Sequence, residues 1–388
     1  MKNLPKYLKE VEKKYITDLD LKSSIQNGEI VLLKSIDNPI FVGKDLSIKI
    51  NTSVGMSQLD EYDQEMRKIQ LISESNIKPD LMMDLSIVKS KKRLYKQIQN
   101  TMGCPVGTIP HYLCFNNKYG IDRNELLEEI QKEAEDGVAF MTFHLTADYE
   151  KMKIALNRKV PIISRGGSII LRDMLINNRK QNILMENYNE ILKILKKYNV
   201  VMSIGTTYRP SAAIDALDEV HLRELKMQKD IIKRTRKAGV NVILEGIGHA
   251  SMKQIESYVN IMRQDIYIPF MPLGPIVTDN AHGWDHIVNA VGAAFMAYNN
   301  GADIINSVTR EEHTGGIPTV DSILEAINAA HVVVKIIDSV RFFDKVNVES
   351  SQRLKNCLGK DDNIGCERCR EECPFKLMDD YERIYGIK

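Results

Sequence analysis

Short apolar runs, many of them β-branched, alternate along this chain with longer stretches that carry charges at helical spacing, and the alternation occurs eight times. The expected strands are 47–54, 80–86, 139–145, 160–164, 199–205, 241–246, 266–273 and 302–309. The clearest helices between them run from Asp60 to Ser75, Asp122 to Asp136, Asn187 to Tyr198, Leu217 to Ala238, Met252 to Arg263, Trp284 to Asn299 and Val320 to Val340. Such an α/β alternation fits a (β/α)8 barrel of the TIM type. No early GxGxxG turn marks a dinucleotide-binding open sheet instead. Residues 1–45 then form an N-terminal appendage, 46–340 the catalytic barrel, and 341–388 a linker with a cluster-binding tail.

A barrel of this kind carries its chemistry where the strands end at their C-termini. Polar residues fall there: Asn51 and Ser53 at the first expected strand, Met83-Asp84-Leu85-Ser86 at the second, His144 at the third and Ser164-Arg165-Gly166-Gly167 at the fourth. Thr206-Thr207-Tyr208-Arg209 follow the fifth, Glu245 and His249 the sixth, Met271 the seventh, and Thr309 and His313 the eighth. A cation, small backbone and hydroxyls in Ser164-Arg165-Gly166-Gly167-Ser168 suit a phosphate, as do helix N-termini and arginine forks in general, although an ordinary glycine turn reads the same way. Arg209 is a second cation on the rim, and the two together suggest an anionic substrate.

His144 and Glu245 can each do acid/base work, or merely orient a loop. His249 and His313 follow adjacent expected strands, so their imidazoles can meet over the mouth as a Zn²⁺ or Fe²⁺ site, or be two unrelated loop histidines. His111, His221, His282, His286 and His331 earn no role, and Cys104 and Cys114 read as buried thiols.

Near the C-terminus Cys366, Cys369 and Cys373 stand in a CxxCxxxC pattern followed by Pro374. Three thiolates suit a [4Fe–4S] cluster with one iron left open to a ligand such as S-adenosylmethionine. A structural zinc knuckle completed by Cys357, a fully ligated cluster, or free thiols are the alternatives. Lys and Arg total 53 against 52 Asp and Glu, a formal charge of +1 that gives no global field to recruit nucleic acid or a membrane surface. The first residues lack the apolar core of a signal peptide, and no stretch approaches the ~20 apolar residues of a membrane span. A cytoplasmic setting is the expectation for clustered thiols.

The pieces Met83-Asp84-Leu85-Ser86, Pro105-Val106-Gly107-Thr108-Ile109-Pro110-His111-Tyr112, Phe143-His144, Ser164-Arg165-Gly166-Gly167-Ser168-Ile169, Glu245-Gly246-Ile247-Gly248-His249, Leu273-Gly274-Pro275, Thr278-Asp279, Asp285-His286 and Glu312-His313 together resemble the ThiC-like radical S-adenosylmethionine family. The resemblance covers nearly the whole chain from about residue 45. It implies a homodimer of barrels, an external one-electron donor, and the radical rearrangement of 5-aminoimidazole ribotide. It also implies that Cys366, Cys369 and Cys373 hold the 4Fe-4S cluster and that His249 and His313 hold a divalent metal, zinc or Fe2+. Met83, Tyr112, His144, Ser164, Arg165, Gly166, Arg209 and Glu245 would then contact the ribotide.

The family has two outcomes from that substrate, the hydroxymethylpyrimidine phosphate of thiamin and the 5-hydroxybenzimidazole of cobamide lower ligands. The thiamin branch usually reads Asn-x-Asn-Ile-Gly where this chain has Asn51-Thr52-Ser53-Val54-Gly55, and Gly-Asp-Gly-Leu-Arg-Pro-Gly where it has Gly205-Thr206-Thr207-Tyr208-Arg209-Pro210-Ser211. An aromatic is replaced by Met271, and the cysteine spacing is one residue shorter. Changes around the reacting ring with the phosphate contacts kept are what a change of product requires, so 5-hydroxybenzimidazole synthesis is the expected activity and Thr206 and Met271 join the substrate-binding set. Phosphomethylpyrimidine synthesis is the alternative on the same scaffold. A non-catalytic ribotide- or metal-binding partner of an active paralogue, and a hydrolytic zinc enzyme, are readings from other classes.

Overall fold

The computed structural model describes residues 4–358 and 372–386. The chain divides into two compact units, 1–337 and 338–388. In the first, eight strands make one parallel sheet: β1 (Lys49–Val54), β2 (Leu81–Asp84), β3 (Val106–Thr108), β4 (Phe140–Phe143), β5 (Val201–Ile204), β6 (Val242–Glu245), β7 (Phe270–Met271) and β8 (Ile304–Asn306). The order is β7-β6-β5-β4-β3-β2-β1-β8, so strands that follow one another in sequence lie side by side and the last returns to the first. Asp303 stitches the remaining seam, its N–H donating to the Phe270 carbonyl at 2.9 Å and its carboxylate accepting the Phe270 N–H at 2.8 Å. The result is the expected (β/α)8 barrel.

The helices of the barrel wall start on side chains that satisfy their open N–H groups, Asp122, Asp218 and Ser251 among them, as caps should. Inside the barrel the strand residues alternate inward and outward. Met141, Met202 and Leu244 join the layer under the helices, while Phe140, Val201 and Ile243 fill the interior.

One strand differs from the expectation. Residues 160–164 form none: Pro161 lacks a ladder donor, and Val160 and Ile163 are 44% and 36% exposed, so the run has no core to face. The strand that completes the eight is instead β3, Val106–Thr108, too short between Pro105 and Pro110 to show an alternating pattern. His144 therefore follows β4, and Ser164 caps a helix, Arg165–Ile176, instead of ending a strand. Gly107 sits at the centre of β3 because a Cβ there would lie 2.1 Å from the Phe140 ring. Gly107→Ala forces that buried ring to shift, and overpacking of this kind costs about 1–3 kcal/mol. Chemical denaturation reads the loss directly, and an unchanged midpoint would show that the β3–β4 interior is not tightly packed.

The appendage also holds more order than its sequence suggests. Ile30–Leu33 and Ile40–Gly43 pair antiparallel, and Val31, Leu33 and Val42 share one buried cluster with Leu81, Ala139, Val201 and Ile304, which lie at or beside the N-terminal ends of barrel strands. The Lys34 ammonium donates to the Tyr198 carbonyl at 2.7 Å just ahead of β5. The hairpin thus stoppers the end of the barrel opposite the rim. No helix among the described residues is long and apolar enough to cross a membrane. Among the described residues, the second unit contains the helices Asp344–Leu358 and Pro374–Tyr385.

Candidate active site

β6 ends on Glu245, whose side chain is buried beside the loop that follows β5. Burial pushes its carboxyl above the usual range, and the Arg209 guanidinium and the Thr206 N–H, 3.3 Å from Oε2, pull it back. A raised carboxyl facing a fixed cation is suited to holding or passing a proton. Arg209 folds back to donate to the Thr206 carbonyl at 3.4 Å. Met271 is in register with Glu245 on β7 and packs in the interior cluster that also contains Met83 and Tyr112.

His144 stands at the end of β4 in a slot made by two glycines. A Cβ on Gly166 would lie 2.2 Å from its ring, and one on Gly205 2.9 Å. Burial, then His111 and Arg209, hold its pKa well below the ordinary value, so the imidazole is neutral. Its Nδ1 is buried and has no hydrogen-bond partner among the described residues. His111, which no motif marks as functional, lies against it with ring centroids 5.3 Å apart and has both nitrogens buried without a partner among the described residues. Burial brings His111 down to about 3 and pushes the neighbouring Tyr112 hydroxyl up to about 12. Three orphaned imidazole nitrogens in one interior are what a polar ligand or ordered water would satisfy. The Arg165 guanidinium lies 5.9 Å over the Tyr112 ring, and Ser164 Oγ accepts the Gly167 N–H at 3.1 Å, starting the helix whose N-terminus faces this cavity wall.

The loop carrying Thr206 and Arg209 is held from two sides. Glu224, wholly buried in the helix Glu219–Lys237, accepts the Thr207 N–H at 2.7 Å, the Tyr208 N–H at 2.9 Å and the Thr146 hydroxyl at 2.5 Å. Arg158 donates to the Tyr208 carbonyl at 2.9 Å and forks onto Asp218 at 2.7 and 2.8 Å. A glutamate within a charged helix reads in sequence as a solvated face, so nothing there marks Glu224.

His249 and His313 do meet: their Nε2 atoms are 2.9 Å apart. Behind each stands a carboxylate, Asp279 Oδ1 at 2.7 Å from His249 Nδ1 and Asp285 Oδ1 at 2.6 Å from His313 Nδ1. A carboxylate accepts, so each Nδ1 carries the proton and each Nε2 offers a bare lone pair to the other. That donor set fits a divalent ion, for which carboxylate–histidine pairs are the usual support. Among the described residues no group of three or more His, Cys, Asp or Glu converges as a ready site, so a bound ion would keep open positions for other ligands. Asp279 and Asp285 stood inside matched motifs, but their place behind the histidines is a matter of loop geometry.

Cys373 is buried and unbridged at the N-cap of the helix Pro374–Tyr385. Cys366 and Cys369 lie outside the described residues. Cys104 and Cys114 are buried thiols, as expected, and burial raises both.

Comparison with known proteins supplies the rest. The profile of the Radical SAM ThiC family matches residues 3–356. Phosphomethylpyrimidine synthase of Carboxydothermus hydrogenoformans is 32% identical over 93% of this chain and 92% of that protein. The proteins of the same name from a Thermoanaerobacter species and from Ignicoccus hospitalis are 32% and 31% identical, over 92% and 94% of this chain and 90% and 91% of theirs. These relatives overturn the expected 5-hydroxybenzimidazole activity in favour of the thiamin-type alternative. The departures that motivated it have local explanations. Thr206 meets Glu245 through its main-chain N–H and spends its hydroxyl on the Gly246 carbonyl, and Met271 is wholly buried packing.

Proposed function

This chain belongs to the radical SAM ThiC family, an enzyme family that works with an iron–sulfur cluster and S-adenosylmethionine, and from that premise we propose that it is a phosphomethylpyrimidine synthase acting on 5-aminoimidazole ribotide. The observation that carries the reading is the convergence of Glu245, His144, Arg209 and Arg165 on one rim, in a chain similar over more than nine-tenths of its length to proteins of that name. When bound, S-adenosylmethionine on a [4Fe–4S] cluster held by Cys366, Cys369 and Cys373 supplies the one-electron chemistry that starts the rearrangement.

In this reading Arg165, Arg209 and the backbone of Ser164-Arg165-Gly166 take the phosphate, a bidentate and helix-end arrangement suited to it. Met83, Tyr112, Thr206 and Met271 enclose the ribose and ring. His144, neutral and with Nδ1 free, hydrogen-bonds the substrate without adding charge, and Glu245 accepts and returns a proton as the ring is rebuilt. His249 and His313 would hold zinc or Fe2+, which would polarise an oxygen of the substrate or product. An external one-electron donor, a homodimeric assembly and a reducing, cytoplasmic setting belong to the same reading.

The test is anaerobic incubation of the cluster-reconstituted chain with aminoimidazole ribotide, S-adenosylmethionine and a reductant, followed by mass analysis. Hydroxymethylpyrimidine phosphate is the expected product. An intact, reducible cluster that yields any other product, or none, sinks the proposal.

A further inference from the structure

We propose that Asp279 and Asp285 are positioning residues that fix the tautomers of the two facing histidines for a divalent cation, and that Asp279 also tethers that site to the Arg209 loop. The proposal rests on the two-histidine metal reading above.

The tautomer argument follows from the inventory of protons. A neutral imidazole has one N–H. With Asp279 at 2.7 Å from His249 Nδ1 and Asp285 at 2.6 Å from His313 Nδ1, both protons are committed outward. Two bare Nε2 atoms 2.9 Å apart then face each other with nothing between them to donate. A cation between them would satisfy both lone pairs. Nitrogens bound to one tetrahedral zinc at about 2.0–2.1 Å lie roughly 3.4 Å apart, so the pair has only to open by a fraction of an ångström.

The tether follows from the second oxygen. Asp279 Oδ2 accepts the Ala213 N–H at 2.9 Å, and Ala213 lies just beyond Arg209-Pro210-Ser211. The His249 N–H donates to the Pro210 carbonyl at 3.0 Å, and a Cβ on Gly248 would lie 2.6 Å from that same oxygen. One carboxylate therefore spans the metal histidine and the loop whose arginine faces the substrate cavity. An asparagine at 279 can still accept from Ala213, but its amide must donate to His249 Nδ1, which moves the ring proton to Nε2 and blocks the cation. An alanine loses both contacts.

The two substitutions thus separate the two roles. On the full-length, cluster-loaded chain, zinc affinity is measured by competition with a chromophoric chelator, and ribotide affinity by calorimetry without zinc. Asp279→Asn and Asp285→Asn are each expected to weaken zinc about 10- to 100-fold, the usual effect of removing such an outer partner. Ribotide affinity should fall in Asp279→Ala and hold in Asp279→Asn. Wild-type zinc affinity in both asparagine variants overturns the tautomer role and leaves the metal reading standing. Equal ribotide affinity in Asp279→Ala and Asp279→Asn overturns the tether. If the wild-type chain binds zinc no more tightly than His249→Ala does, the metal reading and the proposal fall together.

Discussion

Cys373→Ala is expected to lose product formation to the limit of detection, with 5′-deoxyadenosine release lost alongside it. Cys373 is a buried thiol with no disulfide partner, placed at the N-cap of the helix Pro374–Tyr385. In the proposed reading it joins Cys366 and Cys369 as the three ligands of a cubane that keeps one iron open. Removing one ligand leaves a cluster that is either absent or closed by the wrong atom. Iron and sulfide analysis after anaerobic reconstitution, with electron paramagnetic resonance of the reduced protein, separates loss of the cluster from loss of the chemistry. Wild-type turnover by the alanine variant would remove the radical mechanism altogether.

Glu224→Ala should cost about 3–5 kcal/mol of folding stability, because buried donors left without an acceptor cost about 1–3 kcal/mol each. Two are left without an acceptor, the N–H groups of Thr207 and Tyr208, while the Thr146 hydroxyl keeps only Thr207 Oγ1 at 3.1 Å. Burial raises the Glu224 carboxyl and those three donors oppose the shift, so the group is held by its partners and not by solvent. The variant should also bind ribotide more weakly, since the freed segment carries Thr206 and Arg209. Glu224→Gln, which keeps an acceptor oxygen, should fall between the two. Denaturant unfolding with ribotide binding on the same samples checks both effects. A loss below about 1 kcal/mol, the scale of one ordinary hydrogen bond, would mean that Arg158 alone holds the loop.

The barrel was legible because inward and outward layers repeat with a period of two in long strands such as Lys49–Val54. It was misread at Val106–Thr108, where a three-residue strand leaves no room for a period, and at 160–164, where β-branched residues gather on an exposed loop. The rim residues were found by their position after strands, and His249 with His313 by adjacency. His111 was passed over because a lone histidine beside proline carries no signal of burial. Asp279, Asp285, Glu224 and Arg158 act through contacts 16 to 78 residues away in sequence, which no local pattern encodes. The product was misjudged because Ser53, Thr206 and Met271 were weighed as lost functional groups, whereas Thr206 reaches Glu245 by its main chain and Met271 fills space.

The hairpin Ile30–Leu33/Ile40–Gly43 makes the barrel a blind vessel. Traffic through a vessel with one neck is last in, first out. A small substrate seated on Glu245 and His144 must enter before any larger reactant that covers the neck, and its product cannot depart until that cover lifts. Binding should therefore be compulsory in order, and saturating the chain with the covering reactant first should slow capture of the small one.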